Sequence, residues 1–456
     1  MQQTLPSSAQ AEALKVVETI YSPMRILEIE LNECLPSLLS VDVKTGNRYN
    51  RAMCLMRLHR QPLGFIELPL SGDETPPASY IQSIWDALGG QINAHLLRDN
   101  LPPVTSLEAS GIPTPDQPAC REERERFLAD APFVSVIVPT HNRPDRAIQC
   151  LKTLLALDYP RYEIIMVDNA PRNSETADLI AQTYQHEERV RYIREDRIGA
   201  SHARNSGVVA ARGEILAFAD DDIVVDRDWL LELAYAFKAT SDVACVTGLL
   251  LPLELETAPQ FWIEEFGGFS KGFNQKIFDL REYHPGTPLH PFAAGQFGTG
   301  ANMAFTTDFM REAGGFDIAL GPGKIARGGE DLTLFFQAVI RGHRLVYQPS
   351  AISYHPHHRE YAALREQIYS YGIGLAAYLM RNIVTHPRLL LDFALKVPYG
   401  LYFTLNDRSS KNSKKSLHYP KELTRLEQKG LLYGPLAYLR SRWNVRQMRN
   451  ASASGR

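Results

Sequence analysis

The sequence predicts an α/β fold: a mostly parallel sheet flanked by helices, with a small α+β unit before it and a helical tail after it. Three observations carry that reading. From Val134 onward, short apolar runs alternate with amphipathic stretches and no hairpin signal lies between them, the pattern of parallel strands joined by crossover helices. Val134-Ser135-Val136-Ile137-Val138 and Ile215-Leu216-Ala217-Phe218-Ala219 have the texture of core strands. The second of these ends in Asp220-Asp221-Asp222; acids are costly in a core, so they stand at the mouth of the sheet, where open α/β folds bind ligands.

In chain order, residues 1–20 are polar and read as a loose N-terminus. Residues 21–97 read as a small α+β domain. Ile26 to Leu31 alternates as a strand does, Met53–Met56 and Phe65–Leu68 flank a Pro62-Leu63-Gly64 turn, and Ile81, Ile84, Trp85, Leu88 and Ile92 recur at helical spacing. That unit offers no catalytic constellation, and its Trp85 and His59 read as packing residues. Residues 98–130, with Pro102-Pro103, Pro113, Pro115 and Pro118, read as a Pro-rich linker.

Residues 131–360 read as the main α/β domain. Its first strand stops at Pro139-Thr140, and a helix with Ile148, Leu151, Leu154 and Leu155 on one face follows. Glu163–Val167 is the second strand, ending at Asp168-Asn169; Val190–Ile193 is the third; a helix over Ala203–Ala211 precedes the strand that delivers the aspartates. Beyond them come a helix over Trp229–Phe237, a strand over Val243–Gly248, an aromatic, glycine-rich insertion over 252–298 expected to act as a substrate lid, and a strand over Ala301–Phe305. A helix then opens at Gly328-Gly329-Glu330-Asp331. Residues 361–456 read as a helical, basic C-terminal region.

Composition bounds the function. Hydrophobic residues are 44% and charged ones 22% of 456, ordinary for globular protein, and the net charge of −3 argues against a polyanion binder, so no nucleic-acid partner is expected. Residues 408–456 hold twelve Lys/Arg against two Glu. The five cysteines lack paired spacing, which predicts reduced thiols with neither a disulfide framework nor a zinc site. The first residues lack a signal-peptide pattern and no apolar stretch reaches about 18 residues, so the expected location is cytoplasmic.

Four groups converge at the carboxyl edge of a parallel sheet: Pro139-Thr140-His141-Asn142, Asp168-Asn169, the aspartate triplet, and the intervening Arg197–Gly207 segment. Glu330-Asp331 stands at a helix start, where the dipole favours an ionised carboxylate, as a general base requires. Taken singly, each has an ordinary reading as a turn Asn, a strand-end Asp or a capping acid. Carboxylates spaced one residue apart can also share a hard divalent cation that holds a diphosphate.

VSVIVPTHNRP, IIMVDNA, RIGASHARNSG, EILAFADDD and GGEDLTLFFQAVIRGHRLVYQP occur in an order and spacing that resembles the family 2 glycosyltransferases, inverting enzymes of GT-A fold with a Rossmann-like nucleotide half and nucleotide-sugar donors. The resemblance covers about residues 133–360. It implies that Pro139, Thr140 and Asn142 line the nucleotide pocket, that Asp168 accepts from the base ring, and that Arg204 lies near the donor phosphates. It further implies that Asp220 and Asp222 form the DxD motif, with Asp222 a direct ligand of Mg2+ or Mn2+ and Asp220 nearer the ribose or sugar. Asp331 matches the catalytic base with Glu330 beside it, while Asn169 stands where the family often has a second acid, and Asp221 inherits no role by adjacency.

The implied reaction is metal-assisted direct displacement. A base takes the proton of an acceptor hydroxyl as that oxygen attacks the anomeric carbon, and no covalent glycosyl-enzyme forms. The expected donor is a UDP-sugar and the expected acceptor a hydroxyl of a glycan, lipid-linked or polysaccharide substrate. Within His355-Pro356-His357-His358, a histidine-rich turn that also reads as surface or packing, His355 or His357 is the candidate third metal ligand, with His355 taken. The family's processive synthases carry Q-x-x-R-W and spanning helices; Arg442-Trp443 stands here without such a segment, which implies one sugar per encounter. The tail interleaves Leu431, Leu432, Leu436, Leu439 and Trp443 with Arg440, Arg442, Arg446 and Arg449, a pattern compatible with peripheral contact at the anionic inner face of a membrane or with a solvated basic end. The competing readings are a nucleotidyltransferase, which would show a glycine-rich, lysine-containing loop where this chain has PTHNRP, and a non-catalytic nucleotide-sugar binder.

Overall fold

A computed structural model describes residues 21–115 and 117–454; the expected loose N-terminus, 1–20, lies outside the described residues. Strands β1 (Arg25–Glu30), β3 (Arg51–Leu58) and β4 (Gln61–Pro69) form a three-stranded sheet with β1 parallel to β3, and β2 (Leu38–Leu39) pairs with β5 (Glu74–Thr75). Helix α1 (Ile81–Arg98) covers the three-stranded sheet, burying Ile84, Leu88, Ile92 and Leu96 on the face that the sequence spacing marks.

The main sheet has nine strands. Its order runs β10 (Val224–Val225), β14 (Arg344–His355), β11 (Val243–Pro252), β13 (Asn302–Thr306), β9 (Ile215–Ala219), β6 (Val134–Thr140), β7 (Tyr162–Asn169), β8 (Val190–Glu195), with β12 (Lys276–Phe278) on β14. The half that carries the expected nucleotide pocket, β9-β6-β7-β8, is wholly parallel. The antiparallel partners enter through β13, which lies between β9 and β11.

Both faces of this sheet are covered, which is why its strands read as continuous apolar runs. Val134, Val136, Val138, Ile164 and Met166 pack with Cys150, Leu151 and Leu154 of helix α3 (Pro144–Leu155). Ile137, Ile165, Leu216 and Phe218 face the other way, towards Ala203 of α5 (Ala200–Ala210) and Leu334 and Phe335 of α9 (Glu330–Ile340). Chain order leaves β6 for β7 on one side and returns to β9 on the other, so β6 and β9 flank a topological switch point.

Two segments carry structure that the sequence pattern did not show. Within 98–130, Ala119–Ala129 forms helix α2, and it is docked: Arg124 donates to Glu232 from Nε at 2.9 Å and from Nη2 at 3.2 Å, and Arg121 reaches Asp228 at 3.0 Å. Prolines locate a break in the chain but say nothing about long-range ion pairs that fasten it. The insertion 252–298, expected as a substrate lid, is fastened to the sheet. Helix α7 (Ala258–Phe266) and β12 are part of it, and Tyr347 donates to the Gly272 carbonyl at 2.8 Å.

The C-terminal region is α10 (Tyr361–Thr385), α11 (Leu390–Leu405) and α12 (Lys421–Ser454). Helices α10 and α12 meet through small residues: a Cβ on Gly372 would fall 2.2 Å from the Glu427 carbonyl oxygen, so only glycine permits this approach. No helix among the described residues is long and apolar enough to cross a membrane.

Candidate active site

The carboxyl ends of β6, β7 and β9 bring Thr140, Asp168 and Asp220 to one edge; Thr140 and Asp168 are register partners. A cavity of about 360 Å³ opens there, lined among others by Pro139, Thr140, Gly199, Arg204, Asp222 and His355. Asp168 is fully buried beneath this edge. Its Oδ2 accepts from the Tyr192 hydroxyl at 3.0 Å, and its Oδ1 has no partner among the described residues. Burial raises its pKa, with Tyr192 opposing.

The three aspartates do different work. Asp221 is buried and structural: Thr140 donates to Oδ2 at 2.7 Å and Arg143 to Oδ1 at 3.2 Å, locking the end of β9 to the end of β6, and burial raises its pKa. Asp220 and Asp222 flank it, and all three aspartates line the cavity. Asp222 takes Arg146 at 2.9 Å and Arg143 at 3.4 Å, and its Oδ1 lies 3.6 Å from His355 Nε2. That last separation is too long for a hydrogen bond and short enough for two donors to share one cation. His355 Nδ1 has no partner among the described residues, and burial lowers the ring's pKa, leaving it neutral and able to ligate. By contrast, His357 turns away to Glu264 at 2.7 Å. Asp222 and His355 therefore fit a divalent cation, with Asp220 as the neighbouring carboxylate.

Arg204 ties the donor edge to the helix bearing the expected base. It is buried, donating to Asp220 Oδ1 at 2.9 Å and to Glu330 Oε1 at 2.8 Å. Burial opposes its charge, but Asp220, Glu330 and Asp331 outweigh that and raise its pKa. Asp331 lies at the start of α9, where Oδ1 accepts from its neighbour Leu332 N–H at 2.8 Å and Oδ2 from Gly300 N–H at 2.9 Å. Burial raises the pKa of both Glu330 and Asp331; for Glu330 the charge of Asp331 adds to the rise. The Gly329 before them is left-handed, φ 87°, and a Cβ there would meet the Gly374 carbonyl oxygen at 2.5 Å.

Of the sequence-predicted residues, Pro139, Thr140, Arg204, Asp220, Asp222 and His355 line one cavity, while Asp168 lies below it and Glu330 joins through Arg204. Asn142 stands outside that lining at φ 53°, its Oδ1 accepting from Arg172 N–H at 3.0 Å. Asn169 is a loop clamp: Oδ1 accepts from Gly199 N–H at 2.8 Å and Nδ2 donates to the Arg197 carbonyl at 2.8 Å. Sequence reasoning missed Arg143 and Arg146. Their only signal was position, one helical turn apart at the start of the helix after β6.

Residues 135–298 match the family model described as glycosyl transferase family 2. It is 25% identical over 195 residues to the glucosyl-dolichyl phosphate glucuronosyltransferase of Haloferax volcanii, covering 41% of this chain and 57% of that protein. It is 35% identical over 103 residues to the glycosyltransferase AglE of the same organism, covering 22% and 33%. The chain thus spans about half, or less, of the length of these curated relatives. Among solved structures, the mannosyltransferase PcManGT of Pyrobaculum calidifontis, in complex with GDP-Man and Mn2+, aligns with TM-score 0.47 at 16% identity, covering 69% of this chain and 92% of that one.

Proposed function

We propose that the protein is an inverting glycosyltransferase that moves one sugar from a nucleoside-diphosphate donor to an acceptor hydroxyl. The observation that carries this is the Asp220–Arg204–Glu330 bridge, which joins an acid on the cavity at the end of β9 to the helix bearing Asp331. In this reading Asp168 Oδ1 awaits a donor from the base ring, and Pro139 and Thr140 wall the nucleotide. A Mg2+ or Mn2+ held by Asp222, His355 and Asp220 would neutralise charge on the departing diphosphate. Asp331, fixed by two backbone N–H groups, takes the acceptor proton. Only the deprotonated form can act, so its raised pKa makes it a stronger base once ionised.

A lipid-linked, phosphate-bearing acceptor is supported by a second cavity. Its lining includes Lys271, Lys276, Lys411 and Lys414 beside Phe403 of α11. Helix α11 buries no residue and exposes Leu390, Leu391, Leu395, Leu401 and Leu405, and α12 exposes Leu432, Leu436 and Trp443 among its arginines. We assign these faces to peripheral contact with anionic lipid at the cytoplasmic side. The donor is UDP-linked in this proposal. A thermal-shift screen of nucleoside diphosphates and their sugars with and without Mn2+ tests it: metal-dependent stabilisation by the UDP series is expected, and no response to any of them would remove the reading.

A further inference from the structure

Outside the lining of the cavity at the sheet edge, four side chains converge where the N-terminal unit meets the segment that follows it. His59, His95, Asp99 and Cys120 are all buried, and one donor atom of each lies within 4.8 Å of all the others. His59 Nδ1 is 2.6 Å from Asp99 Oδ2 and 3.1 Å from His95 Nε2; His95 Nε2 and Cys120 Sγ approach the same Oδ2 at 3.3 and 3.1 Å. We propose that this cluster is a structural zinc site.

The donor set is that of zinc: one sulfur, two imidazole nitrogens and one carboxylate oxygen, where hard cations would take oxygens alone. Four donors around one zinc stand roughly 3.3–3.8 Å apart, and the observed separations bracket that span. Charge fits as well. A divalent ion with one thiolate, one carboxylate and two neutral imidazoles sums to zero, which a buried site needs.

A plain hydrogen-bond network accounts for the arrangement less well. It would aim three side-chain donors at Asp99 Oδ2, one more than its lone pairs, while Oδ1 already takes the Cys120 backbone N–H at 3.1 Å. The backbone is also strained to present one donor. His59 and Arg60 form the two-residue turn between β3 and β4 with φ 55° and 66°, a turn that favours Asn-Gly. His59 Nε2 has no partner among the described residues, so the cluster alone holds the ring. The unpaired cysteine spacing that argued against zinc misled because the co-ligands are imidazoles and a carboxylate. His95 and Asp99 lie one helical turn apart at the end of α1, and Cys120 opens α2, so the ion would staple hairpin, helix end and the start of the helix that docks on the main sheet.

The test loads the full chain with Zn2+ in the presence of reductant, desalts it and measures metal by mass spectrometry. About one tightly held zinc per chain is expected, falling at least tenfold in Cys120→Ser and His95→Gln. Co2+ loading is the second readout. The wild-type chain should show a thiolate-to-cobalt charge-transfer band and tetrahedral ligand-field bands, so the proposal can be judged even if a variant does not fold. A wild-type chain that retains no zinc, or zinc retained undiminished by both substitutions, would overturn it.

Discussion

Arg204 donates to Asp220 Oδ1 at 2.9 Å, and it does so from a buried position with its other terminal nitrogen on Glu330. One guanidinium thereby fixes the distance between the two ends of the proposed reaction. Arg204→Ala removes the counter-charge of a buried glutamate and should cost about 3–5 kcal/mol in urea unfolding, with transfer lost. Arg204→Lys, which cannot span both carboxylates in the same plane, should keep more stability than activity. Near-wild-type turnover in the lysine variant would sink the bridging role.

Asp331→Asn should retain nucleotide binding, read by thermal shift, and lose about 10²–10⁴-fold in turnover. Turnover equal to wild type would remove Asp331 as the base.

Burial raises the Asp331 pKa, and the acting form is deprotonated, so activity is lost as pH falls through that raised value. The acid limb of kcat/KM should therefore lie above the ordinary aspartate value of about 3.9. A limb at or below it contradicts the assignment.

Asp222→Ala should abolish metal-dependent donor hydrolysis and transfer while the circular dichroism and melting curve stay those of a folded chain. His355→Gln should raise the Mn2+ concentration for half-maximal activity and be partly rescued by more metal. An unchanged metal dependence in both variants would move the cation elsewhere.

Gly329 and Gly342 are both left-handed, at φ 87° and 93°, but only Gly329 faces a backbone oxygen; around Gly342 nothing lies within 4 Å. Gly342→Ala should cost about 1–2 kcal/mol for conformation alone, and Gly329→Ala clearly more, because the collision with Gly374 must be relieved by moving the start of α9. Equal losses would mean that the contact is not tight.

The parallel half of the fold was legible because its strands are covered on both faces and so are apolar without a break. The candidate site was legible at the strand ends, where Thr140, Asp168, Asp220 and Asp222 follow apolar runs directly. What was hidden depends on partners remote in sequence. Asp221 was set apart from its neighbours but had no role until Thr140 and Arg143 closed on it. The charged helix over 119–129 looked like the end of a linker because Glu232, which receives Arg124, lies 108 positions further on. His59 looked like packing because its companions are spread from 95 to 120.

The close crossing of α10 and α12 has a mechanical corollary. Gly374 of α10 abuts Gly328 and Gly329, the hinge from which Glu330 and Asp331 project, while Gly372 on the same helix rests against α12. The C-terminal helices, about the last fifth of the chain, are therefore a splint on Glu330 and Asp331. A force applied to the tail, as when its exposed leucines settle on a surface, reaches Asp331 through two backbone-to-backbone contacts, with no flexible side chain to absorb it.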